Sequence, residues 1–304
     1  MLRCSVCGST YDEAALPWRC ACGAPLDWVI GAGVRTPDDL SGRPASLWRR
    51  REVLPRGTDD GCGPVSLGEG MTPLVRAAWD GAEILWKLDF LCPTGSYKDR
   101  GASVLMSRLR DLGVRDIIED SSGNAGAAMA AYSARAGVRC RIFVPDYTSE
   151  GKCVQISSYG AELVRVAGSR EDTTAAAERA AQTEGTYYAS HNWSPYFAHG
   201  VKALAYELVE ALGSVPDSVV VPAGQGSLVL GCDHAFSEML ASGHLAAAGF
   251  DVFGEEPLPP GSPLLRAPNA VLTPHMGGST EEAVENISEI VASCCVALLR
   301  GEIP

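Results

Sequence analysis

Lys98 is the residue of this sequence with the clearest route to covalent chemistry. It stands in Pro93-Thr94-Gly95-Ser96-Tyr97-Lys98-Asp99-Arg100-Gly101, between a small-residue turn and an amphipathic stretch. Ala82 to Leu88 reads as a strand, and Val104, Leu105, Leu109 and Leu112 give Ala102 to Leu112 the apolar spacing of a helix. Lys98 is therefore expected at a strand-to-helix turn. The helix macrodipole and any burial both disfavour an ammonium there, which favours the neutral amine that attacks carbonyls and forms Schiff bases. A lysine at a helix start can equally be a solvated surface residue. Two further loops bear on the choice.

Ser121-Ser122-Gly123-Asn124-Ala125-Gly126 follows the apolar Ile117-Ile118 and opens an alanine-rich helix. Amides and hydroxyls at a helix N-terminus can receive a carboxylate or a phosphate, and Asn124 adds an amide able to bond a ring hydroxyl. Val219-Val220-Val221-Pro222-Ala223-Gly224-Gln225-Gly226-Ser227 reads as a strand entering a Gly-rich turn and then a helix, the form of a phosphate cradle. It does not fit the dinucleotide fingerprint, because Val229 stands where the third glycine belongs. Each loop alone also has a plain capping explanation.

Together and in this order, the lysine motif, the Ser-Gly-Asn loop and the Gly-Gln-Gly-Ser loop resemble the fold-type II pyridoxal phosphate enzymes, specifically threonine synthase and its close relatives. Gly68-Glu69-Gly70-Met71-Thr72-Pro73-Leu74 is similar to the leading motif of that family and His191-Asn192-Trp193 to a later one, so the resemblance runs from about Gly68 to Gly243. It implies that Lys98 forms the imine with pyridoxal 5'-phosphate (PLP) and that Asn124 contacts the ring oxygen. Ser122, Gly123 and Asn124 would meet the substrate carboxylate, and Gly224, Gln225, Gly226, Ser227 and Leu228 the cofactor phosphate. It further implies a small-molecule amino-acid substrate: with O-phosphohomoserine, Lys98 would remove the α-proton, the γ-phosphate would leave and water would add at the β-carbon. Asp99 and Arg100 are expected to serve the fold near the site. His191 and His199 are expected as core or helix-face histidines, with contact to a substrate phosphate as the other reading.

Both ends of the chain carry other patterns. Cys4-x-x-Cys7 and Cys20-x-Cys22 are two close pairs on turns, with Gly8 and Gly23 just after each. Four thiolates so spaced suit tetrahedral zinc in a structural role, since four sulfurs leave no open position; free thiols are the alternative. Relatives of threonine synthase also carry such a ribbon. The other cysteines of the eleven are scattered and odd in number, which points to a reducing, cytoplasmic compartment. At the far end, His244 to Pro257 and Pro268 to Thr280 are similar to the C-terminal portion of the D-2-hydroxyacid dehydrogenases, the phosphoglycerate type included. That resemblance would make His275 an acid-base group tuned by Glu256. Its arginine partner and its Gly-x-Gly-x-x-Gly turn are not found, so neither NAD binding nor hydride transfer is expected.

The expected organisation is a zinc ribbon at 1–28, a PLP-dependent α/β domain at 29–243 shortened at its C-terminus, and a dehydrogenase-like Rossmann fragment at 244–304. The chain then reads as a chimera joined near Phe236 to Gly243. Phe250 to Gly254 is expected to dock beside the sheet of the PLP domain, and Pro257 to Pro304 to cap an edge. The final segment of a full PLP domain, with the hydroxyl that meets the pyridine nitrogen, is expected to be missing.

Strands near Arg139 to Val144, Glu162 to Val166 and Ser218 to Val221, with helices at Ser149 to Tyr159, Glu171 to Glu184 and Tyr196 to Leu212, alternate as βα units. A mostly parallel sheet with helices on both faces follows, ligands binding at the C-terminal ends of its strands. The 304 residues are 46% hydrophobic, enough for a substantial core, and the net charge of −12 opposes binding to nucleic acid or an anionic membrane. No apolar run approaches the ~20 residues of a membrane span, and Arg3 and Cys4 precede any apolar run, so neither a span nor a signal peptide is expected. A homodimer is compatible with these features. Three classes result: a PLP lyase, carried by the complete set of loops; a nicotinamide dehydrogenase, carried only by Glu256 and His275; and a non-catalytic fusion product.

Overall fold

Residues 1–72 and 89–201 form one unit, and residues 73–88 and 202–304 a second. The structure, a computed structural model, describes residues 1–4, 6–30, 40–55, 63–214, 216, 219–222, 226–239, 248–250 and 270–272.

In the first unit, apolar runs at Ile117-Ile118 and Ile142-Phe143-Val144 are buried throughout. Unbroken apolar runs of this kind belong to strands covered on both faces, which is the condition of a parallel sheet. β6 (Asp116–Glu119), β7 (Arg139–Pro145), β8 (Glu162–Val166) and β9 (Tyr187–Tyr188) are all parallel, in the order β8-β7-β6-β9. α2 (Asn124–Ala136) and α3 (Glu150–Ser158) carry the chain outward from β6 to β7 to β8; α4 (Arg170–Glu184) brings it back to the other side of β6. The connections therefore diverge between β6 and β9. In an open parallel sheet such a switch point, at the C-terminal ends of the strands, is where a ligand crevice forms.

α1 (Lys98–Asp111) and α5 (Pro195–Val201) pack closely because each carries a glycine at the crossing. A Cβ on Gly101 would strike the Phe197 ring, and one on Gly200 would strike the backbone carbonyl of Arg100. The N-terminal segment adds a three-stranded antiparallel sheet, β2-β1-β3, of β1 (Leu2–Cys4), β2 (Thr10–Tyr11) and β3 (Leu26–Trp28). Glu13 binds it to the helices, its Oε2 accepting from Arg108 Nε at 2.8 Å and from the Tyr196 hydroxyl at 3.1 Å. Buried His199 meets Asp27 Oδ1 at 2.9 Å through Nε2 and stands edge-on to Trp28, so it is a packing histidine.

The second unit holds a hairpin, β4 (Leu74–Trp79) antiparallel to β5 (Ala82–Lys87), turned by Asp80-Gly81 with both residues at positive φ, the chemistry of a two-residue turn. Lys87 Nζ meets Glu207 Oε2 of α6 (Ala203–Leu212) at 2.7 Å. α7 (Ser227–Met239), β10 (Ala248–Phe250) and β11 (Ala270–Leu272) complete its described elements.

Three expectations need correction. The strand before Lys98 is β5, a hairpin strand and not a member of the parallel sheet. The helix expected at Tyr196 to Leu212 is two helices broken at Lys202, because apolar periodicity continues through a break that only tertiary packing imposes. Val219 to Pro222 form no strand: β-branched residues favour a strand but need a neighbour to pair with, and Pro222 has no N–H to give one. In the second unit β10 pairs in parallel register with β11, Ala248 opposite Ala270. Of the stretch expected to dock, residues 251–254 lie outside the described residues.

Candidate functional site at the strand switch point

Lys98 is the first residue of α1, and the loop before it is fastened at several points. Gly95 at φ 89 makes the turn. Asp99, buried beside Lys98, folds back to accept from the Thr94 amide at 2.7 Å and from the Thr94 hydroxyl, while the Thr94 carbonyl accepts from Gln155 Nε2 of α3 at 2.9 Å. Burial, opposed by the Thr94 hydrogen bonds, pushes the Asp99 carboxyl up to about 6. On the next residue, Arg100 Nε and Nη2 donate to Asp89 Oδ2 and Oδ1 at 2.8 and 2.9 Å, and the Thr72 hydroxyl donates to Asp89 Oδ1 at 2.6 Å. This planar two-point pairing ties α1 to the segment ending at Thr72. Asp99 and Arg100 thus serve the fold around Lys98, as expected from sequence. In the same leading motif, buried Glu69 accepts from the Leu67 amide at 2.8 Å and from the Tyr132 hydroxyl of α2 at 2.7 Å.

The amine of Lys98, half-buried, lies over aromatic faces, 4.8 Å from the Tyr97 ring centroid and 5.6 Å from that of Phe197. Apolar rings around an amine limit water while their faces tolerate positive charge.

Beyond β6, the Ser121-Ser122-Gly123-Asn124 loop opens α2 at Asn124 with Gly123 as its cap, and the cap makes no side-chain hydrogen bond. Gly123 and Asn124 are exposed, and a Cβ on Gly123 would meet nothing within 4 Å. The first amides of this helix are therefore open to an anion, unlike those of α4, which Ser169 and Asp172 close with a capping box. A Cβ on Gly126 would strike the Ser121 carbonyl, so the loop can double back so tightly only with glycine there. In the first unit the structure thus provides an amine in partly apolar surroundings and an anion-receptive helix start, a donor set that suits an aldehyde cofactor and an amino-acid carboxylate.

Of the phosphate-loop residues, Gly226 takes positive φ at 78°, and Ser227 and Leu228 are buried at the start of α7. Gly224 and Gln225 lie outside the described residues, as do Glu256 and His275. The cysteine quartet is brought together: the sulfurs of Cys4, Cys7, Cys20 and Cys22 all lie within 4.8 Å of one another, with Cys4–Cys22 at 3.6 Å and Cys7–Cys20 at 3.5 Å.

The reading from sequence left one cluster unassembled. Glu119, last residue of β6, and His191, just past β9, meet at the switch point with Nδ1 2.7 Å from Oε1, and both are buried. They are distant in sequence, and no local spacing marks them as partners.

Residues 65–289 match the family of pyridoxal-phosphate dependent enzymes, a span that crosses the junction expected near residues 236–243. Threonine synthase of Methanocaldococcus jannaschii is 33% identical over 252 residues, 79% of this chain and 62% of that protein. Threonine synthase of a Synechocystis species is 34% identical over 212 residues, 66% of this chain and 55% of that protein. The chain thus spans roughly three-fifths or less of the length of these curated relatives. Among solved structures, a crystal structure of a pyridoxal 5'-phosphate-dependent aspartate racemase aligns with a TM-score of 0.52 at 25% identity, covering 60% of this chain and 56% of that one.

Proposed function

Because the chain belongs to the family of pyridoxal-phosphate dependent enzymes, we propose that it is a threonine synthase-like lyase that takes O-phosphohomoserine and water to threonine and phosphate. Two observations in the same unit support this reading: Lys98 stands at the start of α1 against Tyr97 and Phe197, and the N-terminus of α2 is open. Lys98 would hold the cofactor covalently and carry the α-proton of the amino acid. The amides and side chains of Ser122, Gly123 and Asn124 would receive the substrate carboxylate, with Asn124 also meeting the ring oxygen, and Gly224 to Leu228 would hold the cofactor phosphate. When bound, the cofactor supplies the electron sink for the pair left by that proton. The similarity to threonine synthases supports the choice of substrate.

Borohydride reduction of the cofactor-loaded protein followed by peptide mapping should place the adduct on Lys98, and Lys98→Ala should lose it together with the visible absorbance. An adduct on Lys87 or Lys202 would refute the assignment. Phosphate release from O-phosphohomoserine tests the substrate; release no faster than from a buffer blank would refute that part.

Four finer features belong to this reading. Cys4, Cys7, Cys20 and Cys22 hold a structural zinc in an N-terminal ribbon, supported by sulfurs already grouped at ligand spacing. Residues 244–304 descend from a dehydrogenase-like segment and carry no hydride chemistry, so calorimetry with NADH should give no saturable heat. Micromolar affinity abolished by His275→Ala would reverse that. The working protein is a cytoplasmic homodimer, to be checked by light scattering and fractionation. No described helix is long and apolar enough to cross a membrane.

A further inference from the structure

A carboxyl and an imidazole are buried together at the switch point, and the chemistry assigned to Lys98 and the two loops makes no use of them. Glu119 is fully buried; its Oε1 lies 2.7 Å from His191 Nδ1, and its Oε2 accepts from the His191 amide at 3.2 Å. Both oxygens are thus held by one residue. The contact extends the parallel pairing of β6 and β9, since the Ala189 amide donates to the Ile118 carbonyl at 2.8 Å just before it. With Nδ1 engaged by Glu119, Nε2 is the ring's remaining polar atom.

His191 and Lys98 meet the same ring. The His191 ring stands edge-on to Phe197 with centroids 5.7 Å apart, and the Lys98 amine is 5.6 Å from the same Phe197 centroid. Phe197 is held in place because Gly101 of α1 leaves room for it. The charged and titratable groups around the carboxyl are Lys98 of α1, Asp120 next in the chain, Arg170 of α4, Cys140 of β7 and Tyr188 of β9. Asp120 is itself held by Arg170 Nη2 at 2.9 Å and by the Thr174 hydroxyl at 2.7 Å. Burial and the neighbouring charge of Asp120 push Glu119 well above the usual carboxylate range, while the His191 amide, Arg170 and Lys98 act in the opposite direction.

We propose that Glu119 and His191 share one proton as a positioning pair for Lys98, keeping that proton while the Lys98 amine is neutral and releasing it to solvent when the amine is cationic. Only O–H and N–H bonds change. The net charge of the cluster then stays nearly constant as Lys98 takes and returns a proton, so less field has to be reorganised in a site of low polarity. Coupling of this sort is reciprocal: the charge on Lys98 alters the pair's proton affinity, and the pair alters that of Lys98 by the same factor. The inference rests on the cofactor role of Lys98, but its test does not need the cofactor.

The decisive comparison is the His191 imidazole titration, followed by nitrogen and proton NMR in the cofactor-free chain, between the wild type and Lys98→Met. The chain has five histidines, which keeps the assignment tractable. Removing the amine should raise the His191 midpoint by about one pH unit, roughly tenfold in proton affinity. Glu119→Gln should remove the downfield Nδ1 proton and abolish the difference; should that buried variant fail to fold, the first comparison still decides. Equal midpoints in wild type and Lys98→Met would overturn the proposal, because a contact that only joins two strands has no reason to respond to the Lys98 charge. Borohydride trapping is read separately. Coupling without a Lys98 adduct would strike the cofactor reading and support the pair; an adduct without coupling would do the reverse.

Discussion

Gly200→Ala sets two effects of opposite sign against each other on one residue. Gly200 lies within α5, where helix propensity alone favours alanine over glycine by about 1 kcal/mol. The added methyl, however, would fall on the Arg100 carbonyl oxygen and within 2.9 Å of both the Arg100 carbonyl carbon and Gly101 Cα, all closer than the 3.0 Å that real Cβ atoms respect. These are backbone atoms of α1, so no rotamer change relieves them and the helices must separate. Overpacking of this kind costs typically 1–3 kcal/mol and sometimes more, and with helical backbone as the obstacle the upper end applies, about 3 kcal/mol. For a unit of this size, about 3 kcal/mol corresponds to a melting point lower by roughly 6–12 °C. The shift also moves the start of α1, so imine absorbance with added pyridoxal phosphate should fall more than the remaining folded fraction explains. Gly151→Ala is the control: it is in α3 with nothing within 4 Å of a new Cβ, and propensity should act alone, raising stability by about 0.5–1 kcal/mol. Calorimetry or circular dichroism measures all three proteins. A Gly200→Ala protein melting within a degree of wild type would refute the packing argument.

Other outcomes follow from single contacts. Cys20→Ser should reduce zinc from about one ion per chain to a small fraction and lower the melting point, leaving any cofactor spectrum largely intact; freshly prepared wild type without zinc by elemental analysis would overturn the metal assignment. Asp89→Ala takes the carboxylate from fully buried Arg100 and should cost about 3–5 kcal/mol in urea unfolding, whereas a cost below about 1 kcal/mol would show the pair to be dispensable. Asp99 gives a pH dependence. Burial raises its folded-state value to about 6 from an unfolded value near 3.8, so its contribution is complete below about pH 4 and is lost as pH rises through 6. In Asp99→Asn, where the amide can still accept from the Thr94 N–H and donate to its hydroxyl, that loss is absent. The stability difference should therefore move in the variant's favour by up to about 3 kcal/mol between pH 4 and pH 8, and parallel pH curves for the two proteins would contradict the buried-carboxyl account.

What the sequence disclosed and what it withheld divide by distance along the chain. The lysine motif, the Ser-Gly-Asn loop and the cysteine pairs each do their work within a few residues, through turns, helix starts and close thiols, so residue type and spacing carry them. β7, β8, α3 and α4 fall within a residue or two of expectation because each has its own apolar period and its own boundary residues. The break at Lys202 was hidden because the same apolar period runs through both α5 and α6, and the crossing of α5 with α1 depends on Gly101 and Gly200, whose need for smallness shows only when the helices meet. Glu119 and His191 were the least legible. A glutamate at the end of a strand and a histidine after a tyrosine pair look unrelated until the sheet order sets β9 against β6. That order also gives the pair its meaning: a carboxyl is buried at the point of the sheet where connections diverge and a ligand crevice is expected, with the His191 imidazole on one of its oxygens and the His191 backbone amide on the other. A buried ionisable pair is a weak source of stability, because desolvation offsets most of the attraction. Its contact with the Phe197 ring that the Lys98 amine also meets therefore argues for a task that a well-packed apolar pair could not perform.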